Sequence, residues 1–149
     1  MKNTLVKFSL FICFLVLASC SKKSGTTASM SAVIDGTNFT AFGPAHVVTQ
    51  PASGNDLVVA GTNLATTGST PTTIAVTFAN TLGTQTISSG QAFGIYTSSA
   101  TLGMPLYSSG GQVVVTSTSA HLVEGTFTLT FTNGSSVINV TSGRFTGTM

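Results

Sequence analysis

The stretch EGTFTLTFTNGSSVINVTSGRF, residues 124–145, most narrows what this chain can become. Phe127, Leu129 and Phe131 alternate with Thr126, Thr128, Thr130 and Thr132. A period of two makes one side of a strand apolar and the other hydroxylated. Threonine suits a strand because its branched Cβ fits a pleated surface. Asn133-Gly134 then reads as the two-residue loop of a type I′ hairpin, which needs positive φ at both positions. That register sets Leu129 opposite Ile138 and Phe127 opposite Val140, all on the side to be buried. Continued unbroken, it would turn Arg144 inward and Phe145 outward. An extra residue at Gly143 reverses the alternation, so a β-bulge is expected there. The bulge would bring Phe145 over Val123 and Arg144 across from Glu124, an exposed ion pair contributing about 0.2–1 kcal/mol.

The segment MSAVIDGTNFTAF, residues 30–42, repeats this logic around Asp35-Gly36, a second type I′ pair. Its register places Met30, Ala32 and Ile34 on one face with Phe39 and Ala41. Asp35 is therefore read as a turn residue that tolerates a left-handed backbone. Between the two hairpins, strand candidates fall near residues 45–50, 56–61, 73–79, 84–88, 92–97, 105–108 and 111–118. Gly, Pro, Ser and Asn clusters such as TQPASGN and TTGSTP separate them. No segment carries a helical period. Roughly 8–10 short strands at near-regular spacing predict an all-β domain, a single antiparallel sandwich or partly closed barrel. In it Phe39, Phe78, Phe93, Phe127, Phe131 and Phe145 are expected to be largely buried, each contributing about 1.5–3 kcal/mol.

Charge narrows the function. From Met30 onward the charged residues are Asp35, Asp56, Glu124 and Arg144, a balance of −2 with His neutral. One arginine and no lysine cannot neutralise a phosphate backbone, which excludes nucleic acid as a partner. The basic balance of the whole chain comes from lysines near its start.

Those lysines belong to a different kind of segment. Lys2 and Lys7 precede an apolar run from Phe8 to Ala18, the pattern of a secretory signal peptide. The run is about half the roughly 20 residues that a bilayer-spanning helix needs. Leu17-Ala18-Ser19-Cys20 resembles the lipobox of bacterial lipoproteins. That resemblance implies a diacylglyceryl group on the Cys20 thiol, cleavage before it, and acylation of the new amino group. One acyl chain binds a membrane only marginally, whereas two or more anchor it stably. Cys13 lies inside the apolar run and would leave with the peptide, so no disulfide framework is available. Residues 21–29, SKKSGTTAS, have the composition of a flexible tether. The expected organisation is a lipoprotein signal peptide at 1–19, lipidated Cys20 with its tether over 20–29, and an all-β domain over 30–149.

The pattern Met30-x-Ala32-x-Ile34-Asp35-Gly36-x-x-Phe39-x-Ala41, with GTFTLTF and a closing VTSGRF, resembles a group of small Bacteroidota-type lipoproteins of uncharacterised domain function. The likeness covers most of residues 30–149, and its motifs are turns and alternating apolar positions. It implies an outer-membrane lipoprotein, periplasmic or surface-facing, and it carries over no catalytic residues. In place of the tryptophans frequent in that group, this chain has Phe39 and no Trp at all.

Candidate chemistry is sparse. His46 and His121 lack a metal-ligand spacing, and neither a metal nor another cofactor is implied. A Ser-His-Asp arrangement has no G-x-S-x-G elbow or strand-helix context here. Tyr96 and Tyr107 are the candidate ligand-binding residues, as a sugar-stacking platform with a nearby polar group. The alternative is that their rings pack and leave the hydroxyls at the rim. The expected function is therefore a lipid-anchored envelope protein with a non-catalytic binding or structural domain. Three alternatives accompany it: a small barrel holding an apolar ligand, a glycan- or protein-binding surface module, and a hydrolase. A hydrolase would need His46 or His121 beside an acid and a serine.

Overall fold

Ten strands follow one another in the computed structural model, which describes residues 27–41, 43, 47–52, 54–64, 71–87, 92–98, 101 and 104–149. The expected signal peptide, Cys20, the tether up to residue 26 and His46 lie outside the described residues. The strands are β1 (Ser29–Ile34), β2 (Thr37–Thr40), β3 (Val47–Pro51), β4 (Asp56–Asn63), β5 (Thr72–Ala79), β6 (Gly83–Thr86), β7 (Phe93–Thr97), β8 (Leu106–Thr118), β9 (Leu122–Asn133) and β10 (Ser136–Thr148). All pairings are antiparallel, in the order β2-β1-β10-β9-β8-β7-β5-β4-β3, with β6 also on β8. The fold class is all-β: one curled antiparallel sheet forming a half-barrel.

β8 joins the two halves. Its start pairs with β7 and its later part with β6, while β9 runs along its other side. The expected strands at 105–108 and 111–118 are thus one strand, bent where its register shifts between Ser108 and Gly110. Gly111 has φ 123, and a Cβ there would collide with the Thr128 carbonyl oxygen. Only glycine lets β8 turn this corner against β9.

Curling brings the β4 end over β1. A Cβ at Gly61 would lie 2.8 Å from Met30 Cβ and 3.2 Å from Ala41 Cβ. At the other end of the seam, β3 lays Thr49 against Gly147 of β10. Between the halves sit Phe78, Phe127, Phe131 and Phe145, all fully or almost fully buried. Phe145 stacks at 5.0 Å on Phe78 from the opposite half and at 6.4 Å on Phe127. Such tilted pairs contribute about 0.5–1.5 kcal/mol beyond the area they bury.

One polar side chain helps close the seam. Gln85 of β6 is 8% exposed; its Nε2 donates to Ala79 O at 2.7 Å and its Oε1 accepts from Ala79 N at 2.7 Å. The carboxamide acts as a strand residue would, satisfying both backbone groups at the end of β5.

The first hairpin forms as expected. Asp35 and Gly36 have φ 46 and φ 83, Ala32 opposes Phe39, and Met30, Ala32, Phe39 and Ala41 are buried with Ile34 half-buried. The last hairpin keeps the expected faces but not the expected turn. Its loop is Gly134-Ser135, with Gly134 at φ 60, and Asn133 pairs with Ser136. Leu129 therefore opposes Val140, and Phe131 opposes Ile138. A slip of the turn by one residue moves each partner by two, which preserves the face and conceals the error from any pattern-based reading.

The bulge also exists, one residue earlier than expected. Val140 pairs with Leu129 and Gly143 with Phe127, leaving Thr141 and Ser142 against Thr128, with Ser142 at φ 53. Phe145 is turned inward as expected, but it opposes Gly125 rather than Val123. Arg144 opposes Thr126 and Glu124 opposes Thr146, so the anticipated ion pair is not formed across the ladder. Gly143 has a packing role: a Cβ there would lie 2.5 Å from the Phe127 ring.

Five of the six phenylalanines lie in the core, and Phe93 does not. It is 41% exposed. The adjacent inward positions of β7 are Gly94 and Tyr96, and a Cβ on Gly94 would lie 2.7 Å from Leu129 Cδ1. Leu129 and Tyr96 fill the space under β7, and alternation then forces Phe93 outward.

Candidate functional site

Tyr96 and Tyr107 do not form a common platform. Tyr96 pairs with Leu106 and Tyr107 with Ile95, one position apart in the ladder, so the two rings lie on opposite faces. Tyr107 is 63% exposed on the outside, whereas Tyr96 is 7% exposed and packs on Phe131 with ring centroids 5.6 Å apart.

Tyr96 nevertheless reaches a surface feature. It lines a hollow of about 340 Å³ with Ile34, Asp35, Thr37, Asn38, Phe39, Asn63 and Thr72. Strand periodicity explains the composition of that hollow. Along β4 the inward positions run Leu57, Val59, Gly61 and then Asn63; along β5 they run Phe78, Val76, Ile74 and then Thr72. Asn63 and Thr72 are partners in the ladder. One step of two residues, about 6.8 Å, thus changes the lining from apolar to amide and hydroxyl. This is one mouth of the half-barrel. Its floor is Tyr96 and Phe39, and its opposite wall is the tip of the first hairpin.

That tip is fixed. Asp35 N donates to Asn139 O at 2.9 Å, and Asp35 Oδ1 accepts from Asn139 N at 2.8 Å. The carboxylate therefore serves the turn, as expected of Asp35, and holds the hairpin end against β10. Among the described residues Asp35 is the one charged group lining the mouth.

His121 is exposed at the turn before β9, where its backbone N–H donates to Ser119 Oγ at 3.4 Å and its carbonyl accepts from Met149 N at 3.2 Å. Asp35 is tied to Asn139, near the other end of β10. Ten residues of strand between Asn139 and Met149 put the two groups about 30 Å apart. Among the described residues no three His, Cys, Asp or Glu side chains gather as a metal site would require.

Sequence reading singled out Tyr96 but missed Asn38, Asn63 and Thr72. The available signal was the change of inward residue from Gly61 to Asn63 and from Ile74 to Thr72, which becomes visible once β4 and β5 are put in register. No family model matches the chain, and neither the curated proteins nor the solved structures contain a match to it.

Proposed function

We propose that this chain is a lipid-anchored protein of the bacterial outer membrane, held by Cys20, whose β domain binds a ligand at its surface and carries out no chemistry. The observation that carries the domain's part is a ring-filled interior beneath a polar mouth. Phe78, Phe127, Phe131 and Phe145 occupy the space an apolar ligand would need, while hydroxyls and amides collect at Asn63, Thr72 and the first hairpin. The anchor rests on Leu17-Ala18-Ser19-Cys20 after a basic and apolar leader. His121 and Asp35 at opposite ends of β10 weigh against a hydrolase built from those two groups.

Metabolic labelling with radioactive palmitate tests the anchor. Label on the wild-type chain, lost in Cys20→Ser, is the expected result; an unlabelled wild-type chain removes the proposed address. Protease shaving of intact cells then separates a surface-facing domain from a periplasmic one.

A further inference from the structure

Resting on the reading of the β domain as a binding module, we infer that the mouth between the first hairpin and the β4–β5 pair binds an uncharged saccharide unit. The Tyr96 ring is sunk against Phe131 with the residue 7% exposed, and its hydroxyl is not among the sealed side-chain groups without a partner, which in the described residues are Thr49 Oγ1 and Ser98 Oγ. A tyrosine placed so packs its ring while its hydroxyl stays available at a wet edge. That edge is the hollow Tyr96 lines, where its hydroxyl would bond a ligand in place of water.

The neighbouring groups define what such a ligand is. Asn38 and Asn63 each offer two donors and an acceptor, Thr37 and Thr72 offer hydroxyls, and Asp35 retains a carboxylate oxygen beyond the one committed to Asn139. Donors and acceptors interleaved in this way match vicinal hydroxyls, each of which both gives and takes a proton. Ile34 and Phe39 add apolar contact for the C–H surface of a sugar ring. Among the described residues no cation lines the hollow, so an anionic ligand would meet the Asp35 carboxylate without a counter-charge. One carboxylate is also too few for a hard cation such as calcium, which takes six to eight oxygen ligands. At about 340 Å³ the hollow falls in the size range of small-ligand sites.

The test uses the full chain in a polyoxyethylene detergent, applied to an array of immobilised neutral oligosaccharides of glucose, mannose, galactose and N-acetylglucosamine. Uronic-acid oligomers serve as anionic counterparts. Retention on at least one neutral class is expected, weakened about tenfold by Tyr96→Phe and similarly by Asn63→Ala, as the loss of one ligand hydrogen bond implies. Tyr96→Phe keeps the ring that packs on Phe131, and matching thermal melts of both variants check that the fold is intact. Tyr107→Phe, on the opposite face, should bind as the wild type does. No retention on any neutral sugar, equal or tighter retention on the uronic acids, or wild-type binding by both mouth variants would each overturn the inference. A palmitate-labelled chain that binds no neutral sugar would remove this inference and leave the anchor standing. Sugar binding by a chain that takes no label would do the reverse.

Discussion

The two halves of the curled sheet share one interior but face outward with different chemistry. Outward positions of β8, β9 and β10 in the first half include Gln112, Thr126, Thr128, Thr132, Asn139, Thr141 and Arg144, all exposed, with Val114 and Val137 as apolar exceptions. In the second half Val48 on β3, Val58 and Ala60 on β4, Ala75 on β5, Phe93 and Ile95 on β7 and Tyr107 on β8 face outward, alongside Gln50, Thr62, Thr73, Thr77 and Thr97. The first half follows the rule of apolar inside and polar outside at most of these positions. The second half adds an apolar stripe to its outer face. There Thr77 is only 5% exposed although it points outward, because Val58 and Phe93 flank it directly in the ladder. An inward-outward assignment made from polarity therefore holds where the outer face is wet and fails where it is not.

The largest expected effect separates inner rings from outer ones. Phe131→Ala should destabilise the domain by about 3–5 kcal/mol in urea unfolding, as removal of a fully buried ring does. Phe93→Ala should cost less than about 1 kcal/mol. Equal losses would break the distinction between the two positions. Next comes the seam: Gln85→Ala leaves the Ala79 N–H and C=O without partners and should cost about 2–4 kcal/mol. A loss below about 0.5 kcal/mol would mean that water replaces the carboxamide freely.

Gly94→Ala probes the floor beneath β7. Its methyl would press on Leu129, and a cost of about 1–3 kcal/mol is expected in the same unfolding measurement. The smallest effect belongs to the outer faces themselves. Changing Val48, Phe93 and Tyr107 together to threonine should shift stability by no more than about 0.5 kcal/mol per site. It should also lower binding of an apolar fluorescent dye, since it gives the second half the surface of the first. Unchanged dye binding would show that this face does not behave as an apolar surface.

The same contrast explains what could be read in advance. Alternation at Thr126–Thr132 and the Asp35-Gly36 turn gave both hairpin faces, because each position pairs a polar outside with an apolar inside. Phe93 was assigned to the core because alternation in AFGIYT is ambiguous: Phe93 and Tyr96 are three apart and cannot both point inward. The bulge was detectable from the conflict between Arg144 and Phe145, but not its exact position, since Ser142 with φ 53 carries no glycine to mark it. The mouth was only partly legible. Tyr96 stood out by type, whereas Asn63 and Thr72 acquire meaning only from facing each other across β4 and β5.

Ring-to-ring nuclear Overhauser effects in the folded chain test most directly the claim that the interior is filled across the two halves. Contacts between Phe78 and Phe145 and between Tyr96 and Phe131 are expected, with none from the Phe93 ring to any of these four. Absent Phe78–Phe145 contacts, or Phe93 contacts to the core rings, would mean that the sheet does not close over its own phenylalanines, and the filled interior beneath a polar mouth would be wrong.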